Sequence, residues 1–440
     1  MPQFTAENPV RIAIIGAGAV SDYHHVPGIR LDPRARLAAV CDASQELVNR
    51  RRIEWDCELA STDYEAVCAD PRVDAVIIAT PNWTHKAIAL AAAANGKHVM
   101  CEKPLGLNAG EVRDMYHACR DAGVVHMTAF TYRFAPSMRY LRQLLRAGEL
   151  GQPRHFRSQR FLDLPETSWG WRQYKDQAGA GDLFDMTIHR IDFAIDLLGP
   201  LRRVCGAVAR YAVRDVTGDG QPCPPSEVDD WSSLIGEFDS GAVGVWEGTT
   251  VAKGYRMGGF GHEWAEINAS QCSAVYRLHE PHKLWLGRTG EDLAPRDVPE
   301  EYLKPSDSPR DPHTGVPATV FRYDLMWEFI SAIVAGRDAA PSFYDGLCAD
   351  GRCRFGLVAS PRPTFRLGSG PRRSPPRRRV RSGYRLLAVG DPRPAASRAA
   401  ATARSPYPTT ARRRNRRATR GRLGGRCGPA DKLCPGPAGG

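Results

Sequence analysis

Residues 10–18 read Val-Arg-Ile-Ala-Ile-Ile-Gly-Ala-Gly, and Ala19, Val20 and Ser21 follow. A near-continuous apolar run ending in a glycine turn fits a strand buried on both faces of a parallel sheet. Residues 22–30 then have helical character. Gly16 and Gly18 let the backbone turn tightly and approach a pyrophosphate, which the N-terminus of that helix would hold. Ser21 stands where a third Gly or Ala is usual. A glycine turn after a strand is common, so its meaning depends on the surrounding chain.

Outward from this stretch, strands and helices alternate. Further strands are expected at 35–41, 60–64, 73–80, 97–101 and 124–130. Helices are expected at 44–55, with Ser44 as N-cap, at 84–95 and at 108–122. This repeat predicts a doubly wound parallel sheet, an α/β Rossmann domain over residues 1–130. After Phe130 the pattern changes. Helices are expected at 136–146, within 179–198 and at 323–335. Short strands are expected at 155–162, 231–238, 241–250, 263–269, 274–279 and 283–286, with Asp239-Ser240-Gly241 as a hairpin turn. Residues 131–347 therefore read as an α+β domain with an open, mostly antiparallel sheet.

The chain has 440 residues, of which 42% are hydrophobic, enough for two ordinary cores. Its formal net charge of +11 is misleading. Residues 348–440 hold 22 Arg and 1 Lys against 3 Asp, so the preceding 347 residues are acidic, at −9. The last segment lacks Glu, Gln, His, Ile, Met and Trp and has no apolar periodicity, so it reads as a disordered tail. Its composition suits out-of-frame translation of a GC-rich gene. An Arg-rich arm for nucleic acid is the competing reading, which the absence of interleaved aromatics and of a folded motif disfavours. The 12 cysteines show no metal-ligand spacing. No apolar stretch is long enough for a membrane span, and the first residues do not resemble a secretory signal. A cytoplasmic protein with reduced thiols and no metal is expected.

Several short motifs carry chemistry. Asp42 ends the second strand, 24 positions after Gly18, where a carboxylate accepts from the adenosine ribose of NAD and repels the 2′-phosphate of NADP. Arg50, Arg51 and Arg52 on the next helix keep NADP open. Thr80-Pro81-Asn82, with His85, and Glu102-Lys103-Pro104 end two later strands at the ligand-binding edge. Gly179-Ala180-Gly181-Asp182 leads into Asp185 and His189, four residues apart on one helix face. A carboxylate beside an imidazole raises its basicity, as a general base requires. Trp169, Trp171, Arg172 and Tyr174 precede that run and suit a polyhydroxylated ring.

Together these motifs, with Tyr132-Arg133-Phe134 and Pro136, resemble the glucose–fructose oxidoreductase and inositol dehydrogenase family, Gfo/Idh/MocA. The resemblance runs from about Val10 to Leu347. It implies a cofactor site at Gly16, Gly18, Ala19, Val20, Asp42, Thr80, Pro81, Asn82, His85 and Glu102. It implies substrate contacts at Tyr132, Arg133, Trp171 and Arg172. Lys103 would polarise the reacting hydroxyl and His189 would take its proton. Asp185 would support His189 or bind substrate, and Gly181 would belong to the tight turn. Thr187 departs from the family's usual glycine. The implied reaction is NAD(P)-dependent hydride transfer from a secondary alcohol of a sugar, inositol or related polyol. A non-catalytic cofactor-binding regulator, a reductase and an NAD-dependent lyase are the alternatives. A homo-oligomer through the open sheet is also implied.

Overall fold

The apolar run at Val10–Ile15 forms β1, which lies at the centre of a sheet and is covered on both faces. The computed structural model describes residues 4–256, 261–352 and 357–359. Five further strands complete the first sheet: β2 (Ala35–Cys41), β3 (Leu59–Ser61), β4 (Ala75–Ile78), β5 (His98–Cys101) and β6 (His126–Thr128). Their order is β3-β2-β1-β4-β5-β6 and every pairing is parallel. The chain reverses its direction of winding between β1 and β4, so their carboxyl ends open a crevice.

The expected Ser44 cap forms, and Asn108 caps a second helix. Ser44 Oγ accepts from Leu47 N–H (3.3 Å) at the head of Gln45–Glu54. Asn108 accepts from Glu111 N–H (3.0 Å), while the Glu111 carboxylate accepts from Leu107 N–H (2.7 Å). The helix expected at 22–30 is instead split. Ser21–His25 forms a widened turn in which Val26 N–H reaches Ser21 O, and Val26–Leu31 continues as α-helix. Pro27 has no N–H to close an ordinary turn there.

The second sheet has nine strands: β7 (Pro153–Phe161), β8 (Leu201–Ala209), β9 (Trp231–Phe238), β10 (Val243–Thr249), β11 (His262–Ala269), β12 (Cys272–Arg277), β13 (Lys283–Arg288), β14 (Ala294–Asp297) and β15 (Leu357–Ala359). Their order is β14-β13-β12-β11-β7-β10-β9-β8-β15. Only β10–β7 and β15–β8 are parallel. Neither β8 nor β14 was expected, because β8 buries few side chains and β14 is a polar edge strand. Phe156, Leu234, Trp246 and Ile267 face inward, and Phe193 of helix Ile188–Leu198 packs on Phe156. The opposite face leaves Ile235 and Val243 exposed.

The boundary expected at residue 348 falls inside a helix, Phe343–Arg352. Ala349 and Asp350 are buried there, and Asp350 accepts from Leu105 N–H (3.2 Å). Averaging composition over 348–440 hid this last turn and the strand β15. Apart from these residues, the expected tail lies outside the described residues.

Arg133 ties this helix to the rest. It is buried, with a two-pronged bond to Asp192 (2.8 and 2.5 Å) and single contacts to Asp345 (3.0 Å) and Asp196 (3.4 Å). The substrate contact expected of it is therefore corrected, because its guanidinium is consumed by three carboxylates. Removing it strands buried charge, which costs about 3–5 kcal/mol. Arg133→Met should lower unfolding free energy by that amount in urea titrations; an unchanged midpoint would refute the hub.

Candidate active site

A cleft of about 830 Å³ opens along the carboxyl ends of β1, β2, β4 and β5 and runs beneath the second domain. That volume suits a small-molecule site. Gly16, Gly18, Ala19, Val20, Asp42, Thr80, Pro81, Asn82 and Glu102 all line it. Gly16 has φ +102°, and a Cβ there would strike the Ala79 carbonyl, so only glycine fits. Gly18 has open space where its Cβ would lie. Ser21 Oγ donates to Gly16 O (2.6 Å), which fastens the turn to the following segment. Asp42 accepts from Ala17 N–H (2.8 Å) and Ser44 N–H (2.9 Å). Its carboxylate is thereby held at the cleft wall. Arg51 is directed to Asp22 and Glu54, and Arg50, Arg51 and Arg52 do not line the cleft.

His85 does not line it either, which corrects the cofactor contact expected of it. It is fully buried, and its ring nitrogens reach Pro104 O (3.0 Å) and Thr80 O (2.9 Å). It clamps the end of β4 to the loop after β5. Asn82 donates to Ala178 O (2.9 Å), which joins the first domain to the glycine-rich segment of the second. Glu102 faces His25 at 3.0 Å.

Lys103 crosses the cleft. Its ammonium donates to Asp185 O (2.6 Å) and Asp185 Oδ1 (2.9 Å). Burial raises the Asp185 pKa, but Lys103 and Arg172 outweigh it and hold the carboxyl below its ordinary value. Asp185 thus pairs with Lys103 rather than with His189, which corrects the expected couple. The backbone between them is widened, with Ile188 N–H reaching back to Leu183 O, and Asp185 is drawn to the ammonium.

His189 is nearly buried and lines the same cleft. Its Nδ1 is buried without a hydrogen-bond partner, so the ring meets the cleft through Nε2. The Tyr132 ring packs edge-on at 4.7 Å and Phe130 at 6.0 Å. Burial, then the charges of Lys103, Arg322, Arg160 and Arg190, push its pKa well below the ordinary value. Its basicity is lowered, the reverse of the expected effect, because the ring is buried and its charged neighbours are cations rather than a carboxylate.

Tyr132, Trp171 and Arg172 line the cleft, with Arg172 stacked on Trp171 at 4.4 Å. Trp169 joins them, packed against Arg214 at 3.9 Å. Gly181 lies so close to the Asp229 carbonyl that a Cβ would overlap it, and its N–H donates to Asp229 Oδ1 (2.9 Å). Thr187 is fully buried. Its hydroxyl donates to Asp182 (2.9 Å) and accepts from Arg190 (2.7 Å), so the substitution for glycine is absorbed by a polar network.

Sequence reading missed Arg160 and Arg322, which also line the cleft. Arg160 Nη1 donates to Tyr132 Oη (2.9 Å) and Glu263 (2.5 Å), and Arg322 Nη2 donates to Tyr132 Oη (3.2 Å). Arg160 shares the inward register of β7 with Phe156 and Ser158, a period-2 signal that was available. Arg322 had no local signal.

Known proteins share this architecture. The NAD-binding Rossmann domain of the Gfo/Idh/MocA oxidoreductase family matches residues 10–130, and the C-terminal domain of that family matches residues 138–275. Levoglucosan dehydrogenase of Pseudarthrobacter phenanthrenivorans is 30% identical over 327 residues, covering 70% of this chain and 83% of that protein. The chain belongs to the Gfo/Idh/MocA family. The scyllo-inositol 2-dehydrogenase (NAD(+)) of Bacillus subtilis is 30% identical over 296 residues, covering 65% and 80%. A solved levoglucosan dehydrogenase in complex with NADH and levoglucosan superposes with a TM-score of 0.70 at 27% identity, covering 78% of this chain and 95% of that one. The protein is an NAD-dependent oxidoreductase. Among the described residues no helix is long and apolar enough to cross a membrane, and no cluster of His, Cys, Asp and Glu is set to hold a metal.

His24 also lines the cleft, and burial, the Arg322 charge and His25 push its pKa down to about 3. Above the unfolded value of 6.5 neither state holds the proton, and the full stability is present. As pH falls from there towards 3, the unfolded chain takes up a proton that the folded chain refuses, and stability is lost. By about pH 5 the His24 contribution is about 2 kcal/mol. Denaturant titrations at about pH 7.5 and about pH 5 should show a smaller loss in His24→Asn than in the parent. Equal losses would contradict the assignment.

Proposed function

We propose that the protein oxidises a secondary alcohol of a sugar, inositol or related polyol, with His189 as the proton acceptor and Lys103 as the oxyanion donor. The observation that carries this reading is convergence. The His189 ring, the Lys103 ammonium and the Gly16–Val20 turn line one cleft, although they come from three distant parts of the chain. The bound cofactor would be held by the Gly16–Val20 turn, Asp42, Thr80-Pro81-Asn82 and Glu102. NAD supplies the hydride acceptor when bound.

Lys103 donates a hydrogen bond to the reacting oxygen as negative charge develops on it. Its two bonds to Asp185 hold the ammonium in place beforehand, so little reorganisation is needed. The lowered pKa favours the neutral His189 ring, whose Nε2 would accept the hydroxyl proton. The surrounding cations oppose a lasting imidazolium, so the proton is readily returned when the reaction runs towards reduction. Tyr132 fixes the face of the imidazole ring. Trp169, Trp171 and Arg172 offer stacking faces and donors suited to a polyhydroxylated ring. Related dehydrogenases named for levoglucosan and scyllo-inositol support that substrate class.

We also propose a homo-oligomer formed through the outer face of the nine-stranded sheet. Ile235 pairs across strands with Val245, and Trp264 lies two strands away on the same face. With Ile235 53% and Val243 40% exposed, this is apolar surface suited to a second copy.

In a polyol screen followed by NADH absorbance, Lys103→Met and His189→Asn should each lower kcat about 10²–10⁴-fold. NADH binding, read by fluorescence titration, should persist in both. Full turnover in His189→Asn would remove it as the base. For the assembly, Ile235→Glu combined with Val245→Glu should shift light-scattering mass towards a monomer; an unchanged mass would rule out this face.

A further inference from the structure

Four cationic side chains from separate segments reach the substrate end of the cleft: Lys103, Arg160, Arg172 and Arg322. Asp185 neutralises Lys103, and Glu263 neutralises Arg160. Arg172 and Arg322 have no carboxylate within ion-pair distance among the described residues. Arg172 rests on the Trp171 ring, and its charge reaches Asp185 only at longer range.

Arg322 is the more constrained of the two. Its Nη1 donates to His24 Nε2 (3.3 Å) and its Nη2 to Tyr132 Oη (3.2 Å). Both partners are neutral acceptors, since His24 sheds its proton under burial. The guanidinium also lies over the Tyr132 ring at 5.4 Å, and that ring packs against His189. It is therefore oriented beside the reacting centre while its charge is left uncompensated. Each Nη keeps a second hydrogen, and two such hydrogens form the fork that matches a carboxylate. A neutral sugar gives no reason to hold the Arg322 charge without a carboxylate beside an imidazole whose protonation it opposes.

We infer that the substrate is an acidic sugar or polyol, and that its carboxylate is received by Arg322, with Arg172 at the mouth. This inference rests on the proposed sugar or polyol substrate and narrows it to the hexuronate class. A phosphate shares the chemistry of an anion on a guanidinium, so it is included as a separate arm of the test.

Three pairs, glucose with glucuronate, galactose with galacturonate and mannose with mannuronate, are titrated by calorimetry into the full-length protein loaded with NADH. At least one hexuronate should bind about tenfold or more tightly than its hexose. Arg322→Met should bring that ratio close to one, and Arg322→Lys, which keeps the charge without the fork, should retain part of it. Arg172→Met provides a second reading of the ratio if Arg322→Met does not fold, with a smaller reduction expected. Equal binding within every pair overturns the carboxylate assignment and leaves the sugar reading in place. Failure of all six compounds to bind removes the sugar reading and this inference with it. Tighter binding of glucose 6-phosphate than of any hexuronate reassigns the site to phosphate and overturns the carboxylate. A weakened NADH affinity in Arg322→Met with the ratio intact places the guanidinium on the cofactor and also overturns it.

Discussion

The two bonds from the Lys103 ammonium to Asp185 span the cleft, from the end of β5 in the first sheet to the widened turn that opens the long helix of the second domain. A cation anchored to both a main-chain carbonyl and a carboxylate has little freedom to swing. That anchor fixes where the ammonium stands in the cleft, and the helix that begins just after Asp185 fixes the position of His189. His85 supports the same geometry from below, since it ties the loop carrying Lys103 to the end of β4. Asn82 adds a third tie from the cofactor side to Ala178. The cleft is thus a joint between two sheets held by polar bonds, and its chemistry and its architecture share the same contacts.

The electrostatics of the cleft follow from burial combined with an excess of cations. Desolvation alone would keep His24 and His189 neutral, and neighbouring Arg and Lys charges act in the same direction. Asp185 behaves differently because it is bonded to a cation, which outweighs its own desolvation. Among the buried guanidinium groups, Arg133 is paired with three aspartates and Arg160 with Glu263, whereas Arg214 is held by the main-chain carbonyls of Pro165 and Thr167. At the substrate end, the half-buried Arg322 bonds only to the neutral groups of His24 and Tyr132, and its charge acts on the imidazole of His189.

Much of the site could be read from the chain. The glycine turn at Gly16, the carboxylate Asp42 and the motifs around Asn82 and Lys103 are each set by the end of a strand, and strand ends are marked locally by apolar runs that stop. Their convergence on one crevice follows from the winding order of a parallel sheet. Partner choice was less legible. Asp185 and His189 have the spacing of a couple, yet a lysine more than eighty residues away takes the carboxylate. His85 and Arg133 sit among functional motifs, yet both are consumed by buried structural bonds. The last helix was concealed because a few ordinary residues adjoin a long compositionally biased segment.

Local pattern settled the Rossmann domain, most strands of the second sheet and the ligand-binding edge of the first. These depend on apolar periodicity, backbone freedom at glycine and residue chemistry, which are properties of short stretches. Which cation meets which carboxylate, which imidazole remains neutral and which guanidinium is left without a carboxylate are decided by distances between segments far apart in the chain. Arg322 lies 190 positions after the tyrosine whose hydroxyl it contacts, and no local period marks it. Such pairings arise only when packing brings the segments together and excludes water, because both the strength of a charge and the cost of leaving it unpaired depend on its surroundings.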